Sequence, residues 1–496
     1  MKRLVFPAAV FAGGLALSQA LFTILVFVSN LELQIELSVL KASGYLVIPN
    51  KHVLDGMDGL MPAFCGAVFF TVTAGAALSL AGFFAAWLKK RIFAESRFFS
   101  ALITAAWLAG AAACNLEGLN PGFTIVFLAV PAAVFAASVR CMNTAQPGDG
   151  YVRTAHIIAV IAAAIAWLPC LQQDVFLDIR DRVLLSNPAG RQVNEFYYTY
   201  TLYPAEIIKP PAARLLNACT IENESSEVLA RNLSGRLIEF DFLPVSNANA
   251  ARITVRAGAL GFEFARDGKV LFETERDDFF SRPGTTLETF SELADKSQFL
   301  RLFTLAGLAS GFPLGLYIFV HCGMCVGLWF VRSIPLRSAA ASAICLVLAA
   351  AFLVPFYAEE TEPGDIESIR AAIESDNWYE QRSGLKAIAV QNRDPVDLQI
   401  TRELTKSPHV AVRYWMARAL RESDSPEALS MLITMTHDPS PNVACMAYAG
   451  LAATGDSRTA EFIRRRINGI EHWYVQQYAY KAMRQLGWKQ KLPYTN

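Results

Sequence analysis

The chain carries no surplus of either charge: 44 Lys and Arg stand against 44 Asp and Glu in 496 residues. With no basic excess and no Lys/Arg tract, the electrostatic footprint of a nucleic-acid binder is missing. Nucleotide-binding loops are missing too. No GxxxxGK[ST] occurs, and no GxGxxG stands between a strand and a helix, so the chain by itself uses neither ATP nor a dinucleotide. A GxSxG elbow and an HExxH helix are also absent. The nine cysteines are scattered, most of them in apolar stretches, with no paired CxxC or Cys/His zinc spacing outside those stretches. That pattern excludes a disulfide framework and a zinc-ribbon type of site.

What the chain has is apolar length. Hydrophobic residues make up 53% and charged residues 18%, and the excess sits in blocks, which is not the composition of an ordinary soluble protein. Leu4 to Ser29, Met61 to Leu88, Phe98 to Cys114, Gly122 to Val139, Thr154 to Leu171, Phe299 to Val331 and Ser338 to Phe356 read as seven spans, since about 20 apolar residues cross a bilayer core. The first run follows Lys2-Arg3 and contains Leu17-Ser18-Gln19-Ala20, which could pass as a signal-peptide cleavage site. The apolar run continues through Val28 without a polar break, so retention is expected. Lys2-Arg3, Lys89-Lys90-Arg91 with Arg97, Arg140 with Arg153, and Arg332 with Arg337 all fall on one side of seven spans. By the positive-inside rule that side is the cytoplasm. The expectation is an N-terminus in the cytoplasm and a C-terminus outside, in the periplasm of a bacterial inner membrane.

Between and after the spans lie the polar parts. Leu31 to Leu37 alternates apolar and polar residues and reads as a strand in an outer 30–60 segment. From 172 to 298 the chain reads as an α+β domain. It has strand-like runs at Arg236 to Val245 and Ala251 to Ala257, and a hairpin whose arms Gly261 to Ala265 and Val270 to Thr274 flank Asp267-Gly268. Asp181 to Lys209, rich in aromatics, reads as helix or irregular. Glu359 to Gly364 is an acidic linker into the last part, 358–496.

That last part repeats itself. Val412, Met416, Ala419 and Leu420 fall in the places of Val443, Ala447, Gly450 and Leu451, and of Val475, Ala479, Ala482 and Met483, at offsets of 31 and 32; Arg382 and Leu385 begin a weaker first copy. Apolar helical patterns precede each copy at Ile366 to Glu374, Val396 to Thr405, Pro426 to Thr436 and Ser457 to Ile467. Asn392 to Pro395, Lys406 to His409, Asp438 to Pro441 and Thr454 to Asp456 break them. The unit is a helix pair that gains a core only by stacking. The run from Asp438-Pro439-Ser440-Pro441-Asn442-Val443 through Ala447 and Leu451 to Gly455-Asp456 resembles the HEAT superfamily in its short phycobilisome-lyase-like form. The resemblance implies an α-solenoid with a docking surface for a protein or other large ligand, and no particular chemistry.

The expected architecture is therefore a polytopic α-helical membrane protein of about seven transmembrane helices, with an extracytoplasmic α+β domain and a C-terminal α-solenoid. Its parts are five helices in 1–171, the α+β domain in 172–298, two helices in 299–357 and the repeats in 358–496. No Asp, Glu or Lys lies within a span, which disfavours a coupled transporter acting alone. Two sets of residues remain as sites. Trp378, Tyr379, Arg382, Arg413, Tyr414, Trp415, Arg418, Trp473 and Tyr474 recur near the repeat period and have the composition of an interface hot spot. Packing between repeats is the plainer role for part of each pair. Within the membrane, His321, Cys322 and Cys325 lie together, with His321 and Cys325 on one helix face, roughly 15 Å from the cytoplasmic edge if the helix runs to Val331. They suggest a thiol pair, or a haem or metal ligand, against the plainer reading of a neutral histidine bonded across the bundle. His156, near the cytoplasmic end of its span, is not expected at the same depth. The function expected first is a membrane scaffold or accessory subunit, with no catalysis and no cofactor, holding a protein partner on the outer face. A membrane-embedded redox or transfer enzyme centred on His321, Cys322 and Cys325 is the alternative.

Overall fold

The computed structural model describes residues 2–93, 96–142, 149–171, 175–201, 206, 208–222, 226–247, 251–258, 261–357, 363–395 and 402–491. Most of the acidic linker and of the pattern beginning at Val396 lie outside these. The chain forms two compact units, one of residues 1–29, 59–175 and 295–358 and one of residues 30–58, 176–294 and 359–496. The first is apolar and helical. The second gathers all three polar stretches, so the 30–58 segment, the sheet and the repeat helices make one body.

The apolar unit holds residues 2–29 of α1 (Lys2–Ala42), with α2 (Leu60–Lys90), α3 (Arg97–Ala113), α4 (Pro121–Cys141), α5 (Asp149–Trp167), α6 (Gln298–Gly327) and α7 (Ile334–Tyr357). Among the described residues five helices are long and apolar enough to cross a membrane, those in α1, α2, α4, α6 and α7. The apolar helices Arg97–Ala113 and Thr154–Cys170 are shorter; 17 residues reach about 25 Å against a hydrocarbon core of about 30 Å. Such helices are consistent with a membrane protein. Helices α2 and α6 each contain a π-helical turn, Thr71–Gly75 and Gly307–Gly311, and the two turns pack together. Close approach needs glycine here: a Cβ on Gly307 would lie 2.6 Å from the Thr73 carbonyl oxygen, and one on Gly82 would overlap the Pro131 carbonyl of α4. Gly82→Ala is thus expected to force α2 from α4 at about 1–3 kcal/mol, visible as a lower unfolding midpoint in mild detergent. Gly13→Ala, where a Cβ meets no atom within 4 Å, should leave the midpoint unchanged. Equal midpoints for the two variants would contradict the close packing.

Leu31 to Leu37 is not a strand: it continues α1, which runs unbroken from Lys2 to Ala42. Leu, Glu and Gln are good helix formers, and extending a helix already nucleated costs far less than starting a strand. The helical face shows in burial, with Leu37 and Leu40 buried while Leu31 and Ile35 stay exposed. Glu36 nonetheless reaches the sheet, where Oε1 accepts the Ala218 N–H at 2.9 Å.

The sheet of the polar unit has β1 (Asn217–Glu222), β2 (Phe242–Pro244), β3 (Ile253–Ala257), β4 (Gly261–Arg266) and β5 (Lys269–Glu275), in the order β2-β1-β3-β4-β5. β1 runs parallel to both neighbours, and the helix Glu227–Ile238 supplies the crossover to β2. β3, β4 and β5 are antiparallel, with Val255 opposite Phe264. The β4–β5 turn falls at Asp267-Gly268, both with positive φ (51° and 80°), as a two-residue hairpin requires. Only the end of Arg236 to Val245 is strand. A helix capped by Ser226 carries its buried Leu233 and Leu237 at i, i+4 through Ile238, and Asp241 at φ 59° turns the chain into β2.

In the last part the helices Ile366–Glu374, Pro426–Met435 and Ser457–Arg466 are capped by Asp365, Ser425 and Asp456. The longer partners α8 (Trp378–Gln391), α9 (Val410–Leu420), α10 (Pro441–Ala453) and α11 (Trp473–Gln485) pack side by side in chain order. The residues that align between copies, from Val412 to Met483, are the ones buried there. They join Leu37, Leu40, Tyr45, Leu216 and Leu243 in one continuous apolar core.

Candidate functional site

Two arrangements of polar side chains are built where helices meet. The first lies in the apolar unit, where α7 packs against both α5 and α6. Tyr317, His321 and Cys325 follow one another at i, i+4 and i+8 on one face of α6, Ser338 and Ser342 do so on α7, and His156 faces them from α5. The imidazoles of His156 and His321 have centroids 4.5 Å apart. The Ser338 hydroxyl stands 3.3 Å from Nε2 of each. His156 Nδ1 lies 2.7 Å from the Tyr317 hydroxyl and 3.4 Å from that of Ser342.

One carbonyl fixes the direction of the first bond, and a consistent set of directions can be written for the rest. His321 Nε2 is 3.2 Å from the Ser338 carbonyl, which only accepts, so Nε2 carries the proton. Nδ1 is then an acceptor, and the Cys325 sulfur lies against the ring, 3.9 Å from Nδ1 and 3.7 Å from Nε2. With the Nε2 proton shared between the Ser338 carbonyl and hydroxyl, the hydroxyl is placed to donate to His156 Nε2. His156 in turn donates from Nδ1 to Tyr317, whose hydroxyl donates to Ser342 at 3.3 Å. Ser342 donates to the Ser338 carbonyl at 3.1 Å. The order is Cys325, His321, Ser338, His156, Tyr317, Ser342, every donor matched by an acceptor.

The presence of His156 corrects the expectation from sequence. Helix α6 ends at Gly327, with a turn at Leu328, so His321 is six residues, roughly 9 Å, from its helix end. His156 is seven residues, roughly 10 Å, from the start of α5. Cys322 is buried on the same helix, and among the described residues no hydrogen bond joins it to either imidazole, so the bonded set includes Cys325 and leaves Cys322 beside it. A haem held by both histidines needs the rings on opposite faces of the macrocycle, whereas here one hydroxyl bridges them. Among the described residues no group of three or more His, Cys, Asp or Glu side chains could hold a metal ion. Tyr317, Ser338 and Ser342 were legible only as polar pairs four apart in apolar helices.

The second arrangement lies in the polar unit, on the row α8 to α11. The Asp181 carboxylate, fully buried, accepts from Arg180 (2.8 and 2.6 Å), from Arg382 Nε (3.1 Å) and from Trp415 Nε1 (2.7 Å). Arg382 also reaches Asp178 at 3.1 Å, and the Arg180 guanidinium stacks 3.7 Å above Tyr414. Farther on, Asn194 donates to Asn442 at 2.8 Å, Tyr198 meets Tyr474 edge-on at 5.3 Å, and Glu206 accepts from Gln477 at 3.2 Å. Residues 178–201 and Glu206 thus meet α8, α9, α10 and α11 in order.

An open edge of aromatic and arginine side chains is therefore not what these residues form. Arg382, Tyr414, Trp415 and Trp473 are buried, the first three against the chain's own segment. Arg413 forks onto Asp438 (2.6 and 3.0 Å), Arg418 covers Trp415 at 4.6 Å, and Trp378 stacks on His409 at 5.1 Å. Tyr379 lies beside Arg182 and Arg382. Trp378, Tyr379, Arg413, Arg418 and Tyr474 keep part of their surface. Stacked-repeat packing explains part of this; the covering segment, more than 150 residues earlier in the chain, left no mark in the repeat pattern. Comparison of the chain with known protein families, with curated proteins and with solved structures finds no match.

Proposed function

We propose that the chain is an integral membrane scaffold or accessory subunit that holds a protein partner with its polar unit. In this reading seven helices span a bacterial inner membrane, with the N-terminus in the cytoplasm and a HEAT-like solenoid, together with the α+β domain, on the outer side. The observation that supports it is the ordered lie of residues 178–201 and Glu206 across α8 to α11: a face that holds a stretch of its own chain has the chemistry to hold polypeptide. With that face filled, the partner engages the half-buried Trp378, Tyr379, Arg413, Arg418 and Tyr474 at its margin, where aromatic and arginine side chains serve as anchors. Full-length protein purified in mild detergent should carry a partner at fixed stoichiometry, and Tyr379→Ala with Arg418→Ala should reduce its occupancy at least about tenfold. A native mass spectrum of the bare chain alone, under conditions that keep lipid bound, would sink the reading. The alternative is a membrane-embedded redox or transfer enzyme centred on His321, Cys322 and Cys325.

A further inference from the structure

We propose that His156 and His321 form a one-proton site within the apolar unit, in which a proton passes between the two imidazoles through the hydroxyl of Ser338. The site is independent of the docking reading. Its basis is the geometry of the bridge: one hydroxyl stands 3.3 Å from Nε2 of both rings, placed to accept from His321 and to donate to His156. A hydroxyl so placed can exchange its proton for another in a concerted step, which an apolar or amide bridge of the same size cannot do. A proton arriving at His321 Nδ1 forms an N–H bond there. The Nε2–H bond breaks as its proton joins Ser338 Oγ, and the proton that Ser338 held joins His156 Nε2. Each hop makes one bond and breaks one, no electron is transferred, and the positive charge has moved from one ring to the other. On His156 the charge rests beside the hydroxyls of Tyr317 and Ser342, 2.7 and 3.4 Å from Nδ1, to which a charged imidazole donates more strongly than a neutral one.

The stoichiometry is one because the rings are 4.5 Å apart, and two like charges at that separation away from water repel strongly. The titratable and charged groups that α6 and α7 bring near the pair are Tyr317, Cys322 and Cys325, with Arg337 and Cys345 from α7. Arg337, buried and bonded to the carbonyls of Trp329 and Val331, adds a fixed positive charge that further opposes a second proton. Chains of Asp, Glu and His side chains inside apolar helices are one of the ways in which helical membrane proteins relay protons, and a shared proton makes the pair a single titrating unit.

The chain has six histidines, few enough to resolve by nitrogen NMR of ring-labelled, full-length protein in phosphatidylcholine vesicles, with His156→Gln and His321→Gln to assign them. The expected result has His321 protonated at Nε2 and His156 at Nδ1 in mildly alkaline buffer. On acidification the two rings change together and take up one proton in total. Ser338→Ala should slow exchange between the rings at least about tenfold, and Ser338→Thr, which keeps the hydroxyl, should restore it. Rings locked in neutral tautomers while the protein stays folded would show a purely structural bond and overturn the proposal. So would uptake of two protons, independent titration of the rings, or signals displaced by a bound metal.

Discussion

Asp181→Ala is expected to destabilise the polar unit by about 3–5 kcal/mol, the usual loss when one partner of a buried ionic cluster is removed. The carboxylate is the point on which Arg180, Arg382 and the Trp415 indole converge. Its removal strands three donors at once, two of them cations with almost no access to water. Arg382 retains Asp178, which is why the loss stays at the scale of one broken pair. The same change should release residues 178–201 from α8 and α9, so limited proteolysis of the full chain in detergent should gain a cut near Ser186 that is slow in the unsubstituted protein. A loss below about 1 kcal/mol with an unchanged digestion pattern would mean that water replaces the carboxylate and that the segment is held elsewhere, by Asn194, Tyr198 and Glu206. The result bears on docking too, since Tyr379 and Arg418, at the margin a partner engages, pack on Arg382 and Trp415 of this cluster.

What could be read from the sequence, and what could not, divides by the range of the contacts. The repeat offsets identified the buried residues of α9, α10 and α11, because stacking neighbours impose the same demand on each copy. The β4–β5 hairpin was legible from Asp267-Gly268 because a two-residue turn needs those backbone angles whatever lies around it. Alternation misled at Leu31 to Leu37 and at Arg236 to Phe240. In both places a helix was already under way, and period two over seven residues or fewer does not outweigh continuing it. The partners of His321 and Arg382 escaped for a different reason. His156 is 165 positions from His321 and Asp181 is 201 positions from Arg382, and no local pattern records which distant residue completes a polar cluster. A single early helix end, at Gly327 in place of Val331, was enough to misplace His321 in depth and to hide the ring beside it.

Acidification should weaken the polar unit through His472, with an effect second only to that of Asp181. His472 caps α11, its Nδ1 accepting the Tyr474 N–H at 3.2 Å, while Nε2 is buried without a partner. Burial holds this imidazole down at about 4 against an ordinary 6.5. Only the neutral ring can accept at the cap, and a positive charge there would oppose the helix dipole. The sign follows from proton counting. Between pH 6.5 and 4 the unfolded chain binds a proton at His472 that the folded chain refuses, so stability rises with pH across this window. The contribution is whole above 6.5 and is lost as pH falls toward 4; a shift of this size corresponds to at most roughly 3 kcal/mol. His472→Asn keeps an acceptor at the cap without a titrating group. Carboxylates such as Asp241 titrate in both proteins, so the difference between their curves of unfolding midpoint against pH isolates His472. The unsubstituted protein should fall away from the variant as the buffer is taken from neutral to mildly acidic. Parallel curves would show that His472 is protonated in the folded state, its Nε2 reaching solvent and the first turn of α11 held by the packing of Trp473 and Val475 instead.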